Sequence, residues 1–426
     1  MNAPYQTALV LGWGRSGRAA AALLEAEGVR VTVAAGEQEP PPAELRADVA
    51  VVSPGFERSH PWVEACRRAR VPVIGELELG ARFAHAPILA VTGSNGKSSV
   101  VKWLAESLDR AGLKALPCGN YGRPLSDAVR ESADWLVAEV SSFQLETVDR
   151  FRPRVAVVLN VLPNHLDRHG DMRTYLALKA RIFENSGPED ACLAPAAQAA
   201  RLFAAAPGAR GRRVSFGETE ADYVYAQGRV EGPDGFRMDV RGTWFEDPVR
   251  GPGGAAPVAA ALDTLGLPPT AAEDAARDFA PLPHRTEVVA VRGGVRFVDD
   301  SKATNLAALE AGVRAQPGPV RLIAGGRMKE HGADGLASLM RARVAAAYLI
   351  GEAEEALYAA WRESCPCRRC STLDEAVRAA AGEARRGDTV LLSPGGTSFD
   401  QFSDFEERGD RFRALVEKSI EPEGVS

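Results

Sequence analysis

The chain has 426 residues, of which 45% are hydrophobic and 25% charged, and its formal net charge is -6 at pH 7. This length is typical of two to four domains of roughly 100–200 residues each, and the composition is that of a folded globular protein. The acidic balance argues against a nucleic-acid partner, since no basic excess is present to neutralise a phosphate backbone. No apolar run reaches the ~18 residues of a membrane span and no secretory signal opens the chain, so we expect a cytoplasmic protein.

Six cysteines are too few for a disulfide scaffold, and three of them are scattered along the chain. Cys365, Cys367 and Cys370 lie close together in the segment CPCRRC. Close spacing could hold zinc, but no fourth Cys or His follows nearby to complete a tetrahedral site. We therefore expect an irregular loop with free thiols here.

Residues 1–87 are predicted to form a first α/β domain. The run TALVLG, a helix through WGRSGRAAAALLEAEG, and the strands VRVTVAA, ADVAVVSPG and VPVIG follow one another. The segment GWGRSG at 12–17 fits the dinucleotide-loop pattern, which is weak alone. A dinucleotide would call for an acidic residue near the end of the second strand, where Ala34 and Ala35 stand instead. We therefore interpret the loop as binding a diphosphate.

Residues 88–283 are predicted to form a central domain. PILAVTG, DWLVAEV and VAVVLNV are unbroken apolar strands, typical of a parallel sheet that is covered on both faces, and a helix begins near Ser98. After Pro188 the strands become shorter and more polar, which predicts a small antiparallel sheet in the same domain.

Residues 284–426 repeat the α/β pattern, with VRFVDD, VRLIAGG, AAAYLIG and DTVLLSPGG as strands between Ala-rich helices. The predicted fold is therefore α/β with three domains. Each has a mainly parallel, doubly wound sheet, and the central one is similar to phosphate-loop ATPase domains.

The strongest local motif is GSNGKSS at 93–99, between a strand and a helix. Its glycines allow close backbone approach to phosphates, Lys97 supplies a positive charge, and the Ser98 hydroxyl can ligate magnesium. Counted from Gly93, the spacing is one residue shorter than the usual consensus, so a simple glycine-rich turn is the alternative.

Polar residues follow two of the apolar strands of the central domain. Glu139 ends one strand, His165 lies beyond another, and Lys179 follows in LALKARIF. The ends of adjacent parallel strands meet at one edge of a sheet, near the phosphate loop, where a hard cation would bridge ATP oxygens. The alternative is that these are ordinary polar groups at strand ends.

Over essentially its whole length the chain resembles the Mur ligases, particularly those that add D-glutamate to UDP-N-acetylmuramoyl-L-alanine. The motifs that carry the resemblance are VTGSNGKSS, GNYG, EVSSFQLE, NVLPNHLDRH, LPHRTE, DDSKATN, AGGRMK and LSPGGTSFDQF. EVSSFQLE and DSKATN are far more specific than either glycine loop.

The resemblance implies roles for residues in this sequence. Those implied to hold ATP are Gly93, Ser94, Asn95, Gly96, Lys97, Ser98, Ser99, Arg285, Asp300 and Lys302. Those implied to bind the substrates are Arg15, Ser16, Asn120, Ser141, Ser142, Gln144, His165, Thr304, Lys329, Ser398 and Phe405. The implied ligands of two Mg2+ ions are Ser98, Glu139, His165 and Lys179, and the implied catalytic groups are Lys97, His165, Lys179 and Lys302.

The resemblance also implies the reaction. ATP would phosphorylate the alanine carboxylate, and the amine of glutamate would displace phosphate from the acyl phosphate. Lys179 would be carbamoylated by CO2, because a free ammonium cannot ligate a cation. The first domain would bind the UDP-sugar, the central one ATP, and the third would bind glutamate and complete the ATP site by closing. We expect a monomer acting on these small molecules in peptidoglycan precursor synthesis.

Two departures from the family pattern keep alternatives open. Gly253 and Gly254 stand where the family carries a His-Asn pair, and the acidic residue after the second strand is missing. One alternative is a related ligase that uses L-glutamate or another UDP-linked acceptor. A second is a non-catalytic sugar-nucleotide-binding protein, which would have no need of the metal-binding and phosphoryl-transfer residues together. A folate polyglutamate ligase, a third, shares the ATP loop but not EVSSFQLE.

Overall fold

The structure, a computed structural model, describes residues 4–34, 41, 45–53, 56, 60–246, 251–329 and 332–418. The chain divides into two compact units. The first comprises residues 1–161 and 173–279, and the second residues 162–172 and 280–426. None of the helices described is both long and apolar enough to cross a membrane.

The described residues form nineteen strands and sixteen α-helices, besides short 3-10 and π-helical turns. The strands are β1 (Thr7–Leu11), β2 (Arg30–Ala34), β3 (Val49–Val52), β4 (Val73–Gly75), β5 (Ile88–Thr92), β6 (Ala115–Gly119), β7 (Trp135–Glu139), β8 (Val155–Val158), β9 (Ala191–Pro195), β10 (Arg212–Gly217), β11 (Tyr223–Ala226), β12 (Arg229–Glu231), β13 (Arg237–Asp239), β14 (Glu287–Arg292), β15 (Val295–Asp299), β16 (Val320–Gly325), β17 (Val344–Ile350), β18 (Cys367–Ser371) and β19 (Thr389–Gly395). The helices are α1 (Arg15–Ala26), α2 (Pro61–Arg68), α3 (Glu76–Arg82), α4 (Lys97–Arg110), α5 (Leu125–Ala128), α6 (Ser142–Leu145), α7 (Leu166–His169), α8 (Met172–Ala180), α9 (Ala196–Ala205), α10 (Ala256–Thr264), α11 (Pro269–Arg277), α12 (Leu306–Arg314), α13 (Ala337–Arg343), α14 (Glu354–Trp361), α15 (Leu373–Glu383) and α16 (Phe405–Lys418).

The first sheet has the order β2-β1-β3-β4, and all its pairings are parallel. Side chains alternate along β1. Ala8 and Val10 enter the core on one face, whereas Leu9 and Leu11 enter the core on the other. Because both faces are buried, the strand reads as an unbroken apolar run, as predicted for a doubly wound sheet.

The second sheet has nine strands in the order β13-β12-β11-β10-β9-β8-β5-β7-β6. Its seven strands from β5 to β11 pair in parallel, and only the β11–β12 and β12–β13 pairings are antiparallel. The antiparallel strands expected after Pro188 are therefore present, but they continue the edge of the parallel sheet instead of forming a separate one. Helix α4 begins at Lys97, one residue before the predicted start.

The second unit contains a six-stranded sheet, β14-β15-β19-β16-β17-β18, which is parallel except for β14. The four predicted strands of this region correspond to β15, β16, β17 and β19. The prediction of an irregular loop at the cysteine cluster is wrong in part, since Cys367 and Cys370 lie in edge strand β18. All three cysteines of the cluster carry free thiols.

Candidate functional site

The loop after β5 is a compact turn that leads into α4. Gly96 has φ of +85°, a backbone conformation that favours glycine. The Asn160 side chain fixes the loop, because its Oδ1 accepts from the N–H groups of Ser94 and Asn95, each at 3.0 Å, and its Nδ2 donates to the Asn95 carbonyl at 3.2 Å. Sequence reasoning missed Asn160, although it opens the quoted motif NVLPNHLDRH.

Two lysines converge on the carbonyl of Gly93. Lys97 Nζ donates to it at 2.8 Å and Lys179 Nζ at 2.9 Å. Lys179 is only 1% exposed. Burial lowers the pKa of Lys179 well below its usual value, the Lys97 charge lowers it further, and Glu139 opposes both. Its surroundings therefore favour the neutral amine over the ammonium.

Glu139 ends β7 and is almost completely buried. Its Oε1 accepts from Asn120 Nδ2 at 2.6 Å, whereas within the described part of the chain its Oε2 is buried without a hydrogen-bond partner. Leaving a carboxylate oxygen buried and unpaired is costly unless a cation meets it. Gly119 permits the close approach of β6, since a Cβ at this position, where φ is +89°, would lie 2.3 Å from the Glu139 carbonyl oxygen.

A capping box shapes the turn after Glu139. The Ser141 side chain accepts from the Gln144 N–H at 3.2 Å, and Gln144 Oε1 accepts from the Ser141 N–H at 2.9 Å. Ser142 and Gln144 are buried. The reciprocal bonds satisfy donors that a helix start would otherwise leave unpaired, and they fix all three predicted substrate residues in one turn.

The glycine loop after β1 packs tightly against its own helix. A Cβ on Gly17 would lie 1.9 Å from the Gly12 carbonyl oxygen, so glycine is required at this contact. Ser16 is half-buried in the first turn of α1, and the Arg15 guanidinium donates to the Gly122 carbonyl. A cavity of about 360 Å³ beside this contact is lined by three arginines, Arg15, Arg18 and Arg123. Residues 35–37, where the acidic residue is missing, lie outside the described residues.

The second unit carries a tight turn after β15 that holds Asp300. Ser393 Oγ donates to its Oδ2 at 2.9 Å and the Thr286 N–H to its Oδ1 at 3.1 Å. Burial raises the pKa of Asp300 to about 7, although the Arg285 charge and these bonds lower it. His284, which sequence reasoning did not assign, pairs with Asp299 at 2.7 Å through Nδ1, and its carbonyl accepts from the Lys302 N–H at 3.1 Å.

The residues predicted to surround glutamate lie on loops at the carboxyl ends of β15, β16 and β19 and at the start of α16. Lys329 Nζ donates to Thr304 Oγ1 at 3.4 Å. Lys302 Nζ lies 3.6 Å from the centroid of the Phe405 ring. Ser398 is buried, and its carbonyl accepts from the backbone N–H groups three and four residues later, at 3.0 and 2.8 Å.

His165 and the glycine pair complete the predicted set. His165 belongs to the second unit, precedes α7 and has a left-handed backbone with φ of +55°, which is uncommon outside glycine. Gly253 and Gly254 lie in a π-helical turn before α10. A Cβ at Gly254 would meet the Phe245 ring at 3.3 Å, so Phe245 occupies the adjoining space.

The predicted residues therefore form two groups, each described within its own unit. The group of the first unit comprises Arg15, Ser16, Gly93, Ser94, Asn95, Gly96, Lys97, Ser98, Ser99, Asn120, Glu139, Ser141, Ser142, Gln144 and Lys179. The group of the second unit comprises His165, Arg285, Asp300, Lys302, Thr304, Lys329, Ser398 and Phe405.

Comparison with known proteins identifies the family. Residues 91–250 match the Mur ligase middle domain and residues 284–396 the Mur ligase glutamate ligase domain. The chain is 39% identical to UDP-N-acetylmuramoylalanine–D-glutamate ligase of Nitratidesulfovibrio vulgaris strain DP4, over 97% of this chain and 96% of that one. It is 40% identical to the protein of the same name from Acidobacterium capsulatum, over 96% and 95%.

The fold agrees with these relatives. The crystal structure of the MurF ligase from Thermotoga maritima in complex with ADP superposes with a TM-score of 0.64 at 18% identity, covering 90% of this chain and 97% of that one. A sequence identity of 18% shows only that the fold is shared. The family is shown by the sequence relatives, which match this chain over nearly its full length. The chain belongs to the Mur ligase family of ATP-dependent ligases.

Proposed function

We propose that the chain joins D-glutamate to the L-alanine carboxylate of UDP-N-acetylmuramoyl-L-alanine in the cytoplasm, with ATP as the energy source. The observation that carries this proposal is the meeting of Lys97 and Lys179 at one phosphate-loop carbonyl beside a buried carboxylate. The identity of the substrates rests on the near full-length relatives of that name.

The residues of the first unit fit a magnesium ion. Glu139 offers a buried, unpartnered Oε2 within the described residues, and the Ser98 hydroxyl is buried in the first turn of α4. Oxygen donors of this kind suit Mg2+, which would neutralise charge on the transferring phosphoryl group. We assign Ser98 and Glu139 to one ion, and His165 with carbamoylated Lys179 to a second.

Lys179 has the properties that carbamate formation requires. Its neutral amine would attack CO2, form an N–C bond and release one proton, leaving a carboxylate on the side chain. Desolvation favours the neutral amine that starts this step, because burial penalises the ammonium form. A structural role as a buried ammonium is less favourable for the same reason.

In the proposed reaction the loop N–H groups and Lys97 hold the ATP phosphates, and Lys302 meets the γ-phosphoryl group. The alanine carboxylate attacks the γ-phosphorus, giving an acyl phosphate and ADP. The amine of glutamate then attacks the acyl carbon, phosphate leaves and the amine loses a proton. Arg285 and Asp300 orient the nucleotide, while Thr304, Lys329, Ser398 and Phe405 orient glutamate, whose two carboxylates need cationic and hydroxyl partners.

The acceptor lies, in this proposal, along the first unit. Arg15 and Ser16 meet the diphosphate at the start of α1, where backbone N–H groups favour anions. Asn120, Ser141, Ser142 and Gln144 line the sugar and its alanine, close to the Glu139 carboxylate that Asn120 contacts.

Phosphate release with ATP, Mg2+ and UDP-N-acetylmuramoyl-L-alanine tests the function. We expect release with D-glutamate and none with L-glutamate or without amino acid. Preference for L-glutamate would support a ligase of altered specificity, and no release with any amino acid would support a changed acceptor or a binding protein. Lys179→Ala and Glu139→Gln are expected to abolish release, whereas Glu64→Gln, on the exposed face of α2, is the control.

Native mass spectrometry of Lys179 tests the carbamate separately. We expect a CO2 adduct on the intact protein that Lys179→Ala lacks, and a loss of activity in CO2-depleted buffer that bicarbonate reverses. An unmodified, fully active protein would contradict this part of the proposal.

A further inference from the structure

Arg408, in the first turn of α16, is a buried charge that the proposed reaction does not use. Its side chain is 1% exposed. No carboxylate lies within ion-pair distance of it among the residues described. Asp400 and Asp299 act on its charge only from beyond that distance. Burying a guanidinium without a close counter-ion is costly, because its charge is taken out of water. The position therefore needs an explanation beyond packing.

The guanidinium bonds two turns that are far apart in sequence. Nε donates to Ser301 Oγ at 3.0 Å, and one terminal nitrogen donates to the Ser301 carbonyl at 2.8 Å and to the Gly396 carbonyl at 3.1 Å. Ser301 Oγ donates in turn to the Phe405 carbonyl at 2.8 Å. Arginine presents these donors on two nitrogens of one rigid plane, so it holds three acceptors in a fixed geometry that the single ammonium of a lysine reproduces only in part.

These two turns carry different parts of the proposed chemistry. Ser301 stands between Asp300 and Lys302, which we assign to ATP. Gly396 precedes Ser398, which we assign to glutamate, and Phe405 opens the helix that carries Arg408. One buried side chain therefore connects the phosphoryl-transfer turn to the glutamate loops.

Two glycines make room for this arrangement. A Cβ on Gly409 would lie 2.1 Å from His284 Nδ1 and 2.8 Å from an Asp299 oxygen, so α16 approaches the turn after β15 at backbone distance. A Cβ on Gly326 would lie 3.1 Å from the second terminal nitrogen of Arg408, which brings the loop after β16 against the same guanidinium. That nitrogen is buried without a hydrogen-bond partner in the described ranges.

We propose that Arg408 is a positioning residue, which holds the Asp300–Lys302 turn and the Gly396–Ser398 loop in one fixed arrangement so that the groups for ATP and for glutamate act in register. The functional part of this inference rests on the proposed function. A shift of about 1 Å between groups that orient two reactants lowers a rate roughly 100-fold.

The experiment compares steady-state kinetics of Arg408→Lys and Arg408→Met with the wild-type full chain. In Arg408→Met we expect kcat to fall about 100-fold and the KM of glutamate to rise at least about tenfold, with the KM of the UDP-linked acceptor unchanged. Arg408→Lys is expected to recover only part of this loss. Arg411→Ala removes an exposed arginine of the same helix that pairs with Asp374, and Val377→Ala lowers stability in the core behind the sheet. Both controls are expected to leave the kinetic constants unchanged.

A loss spread equally over all substrates would overturn the proposal. A comparable kinetic loss in Val377→Ala would also overturn it, since the kinetic constants would then merely follow stability. Hydrogen exchange separates it from the proposed function. If the wild type does not turn over these substrates, the proposed function is wrong. Faster hydrogen exchange in Arg408→Lys, confined to peptides covering 299–304 and 395–399, would still show that Arg408 holds the two loops in place. Unchanged exchange in these peptides would overturn it.

Discussion

Glu78 offers the clearest quantitative test of how the first sheet is held to the second. Its carboxylate is fully buried on α3 and accepts from the backbone N–H groups of Asp149, Arg150 and Phe151 at 2.9–3.1 Å. It also accepts from Arg82 Nε at 2.7 Å. Glu78→Ala would leave three N–H donors without their acceptor in a buried place, at roughly 1–3 kcal/mol each before any relaxation.

Some of that cost is recovered, because Arg82 keeps its bonds to Tyr5 and to the Asp149 carboxylate and water can enter the space of the deleted side chain. We therefore expect Glu78→Ala to lower the free energy of unfolding by about 4 kcal/mol, within the range for breaking a buried ion pair. At roughly 2 °C per kcal/mol for a unit of this size, the unfolding midpoint falls by about 8 °C.

Differential scanning calorimetry of the full chain measures this shift. Glu64→Ala is the matched control, since Glu64 faces solvent on α2 with Arg68 3.9 Å away, and it is expected to cost less than about 1 kcal/mol. A Glu78→Ala midpoint equal to that of the control would refute the reasoning that the three backbone donors depend on this carboxylate.

Three further predictions concern single residues. Burial raises the pKa of Glu76 to about 7 from its ordinary 4.5, so the folded state loses stability as the pH rises from the lower value to the higher. Glu76→Gln removes this ionisation and should raise the free energy of unfolding by roughly 3 kcal/mol at pH 8, with no change at pH 4.5. Urea titrations at the two pH values would measure the difference. Glu139→Gln should weaken Mg2+-dependent ATP binding at least about tenfold, measured by isothermal titration calorimetry, with metal-free nucleotide binding as the control. Gly326→Ala should lower the free energy of unfolding by more than about 2 kcal/mol in thermal unfolding, because the new Cβ would lie 2.2 Å from the Thr397 carbonyl oxygen and φ is +94°. The control is Gly332→Ala, where φ is +100° but the space around the Cβ is open, so only the backbone cost of about 1 kcal/mol is expected.

The sheets could be predicted where their strands are buried on both faces. β1, β5 and β8 are short, almost wholly apolar runs and β19 has an apolar centre, because helices cover both faces of a doubly wound sheet. β14 and β18 could not be predicted, since they lie at sheet edges, where many side chains are charged or exposed to solvent. Arg368 and Arg369 in β18 are exposed, which in sequence is typical of a loop.

The candidate site divides in a similar way. The loops at 93–99 and 12–17 are local motifs, so their glycines, read together with the strand before and the helix after each, predict the turns that the structure contains. Asn160, His284 and Arg408 were missed, because their partners lie 65, 15 and 107 residues away and no local pattern marks such contacts. The fold, not the motif, brings these side chains to the loops they hold.

Buried charges separate structural from functional positions in this chain. Glu78 has a donor for each of its carboxylate oxygens, and removing it should cost stability without touching chemistry. Glu139 and Arg408 are just as buried, yet within the described residues each keeps one polar atom without a hydrogen-bond partner. Folding alone would favour pairing or removing such atoms, because an unpaired buried polar group costs about 1–3 kcal/mol. Their retention, at the end of β7 and in the first turn of α16, is explained when the first meets a cation and the second fixes loops that must not move.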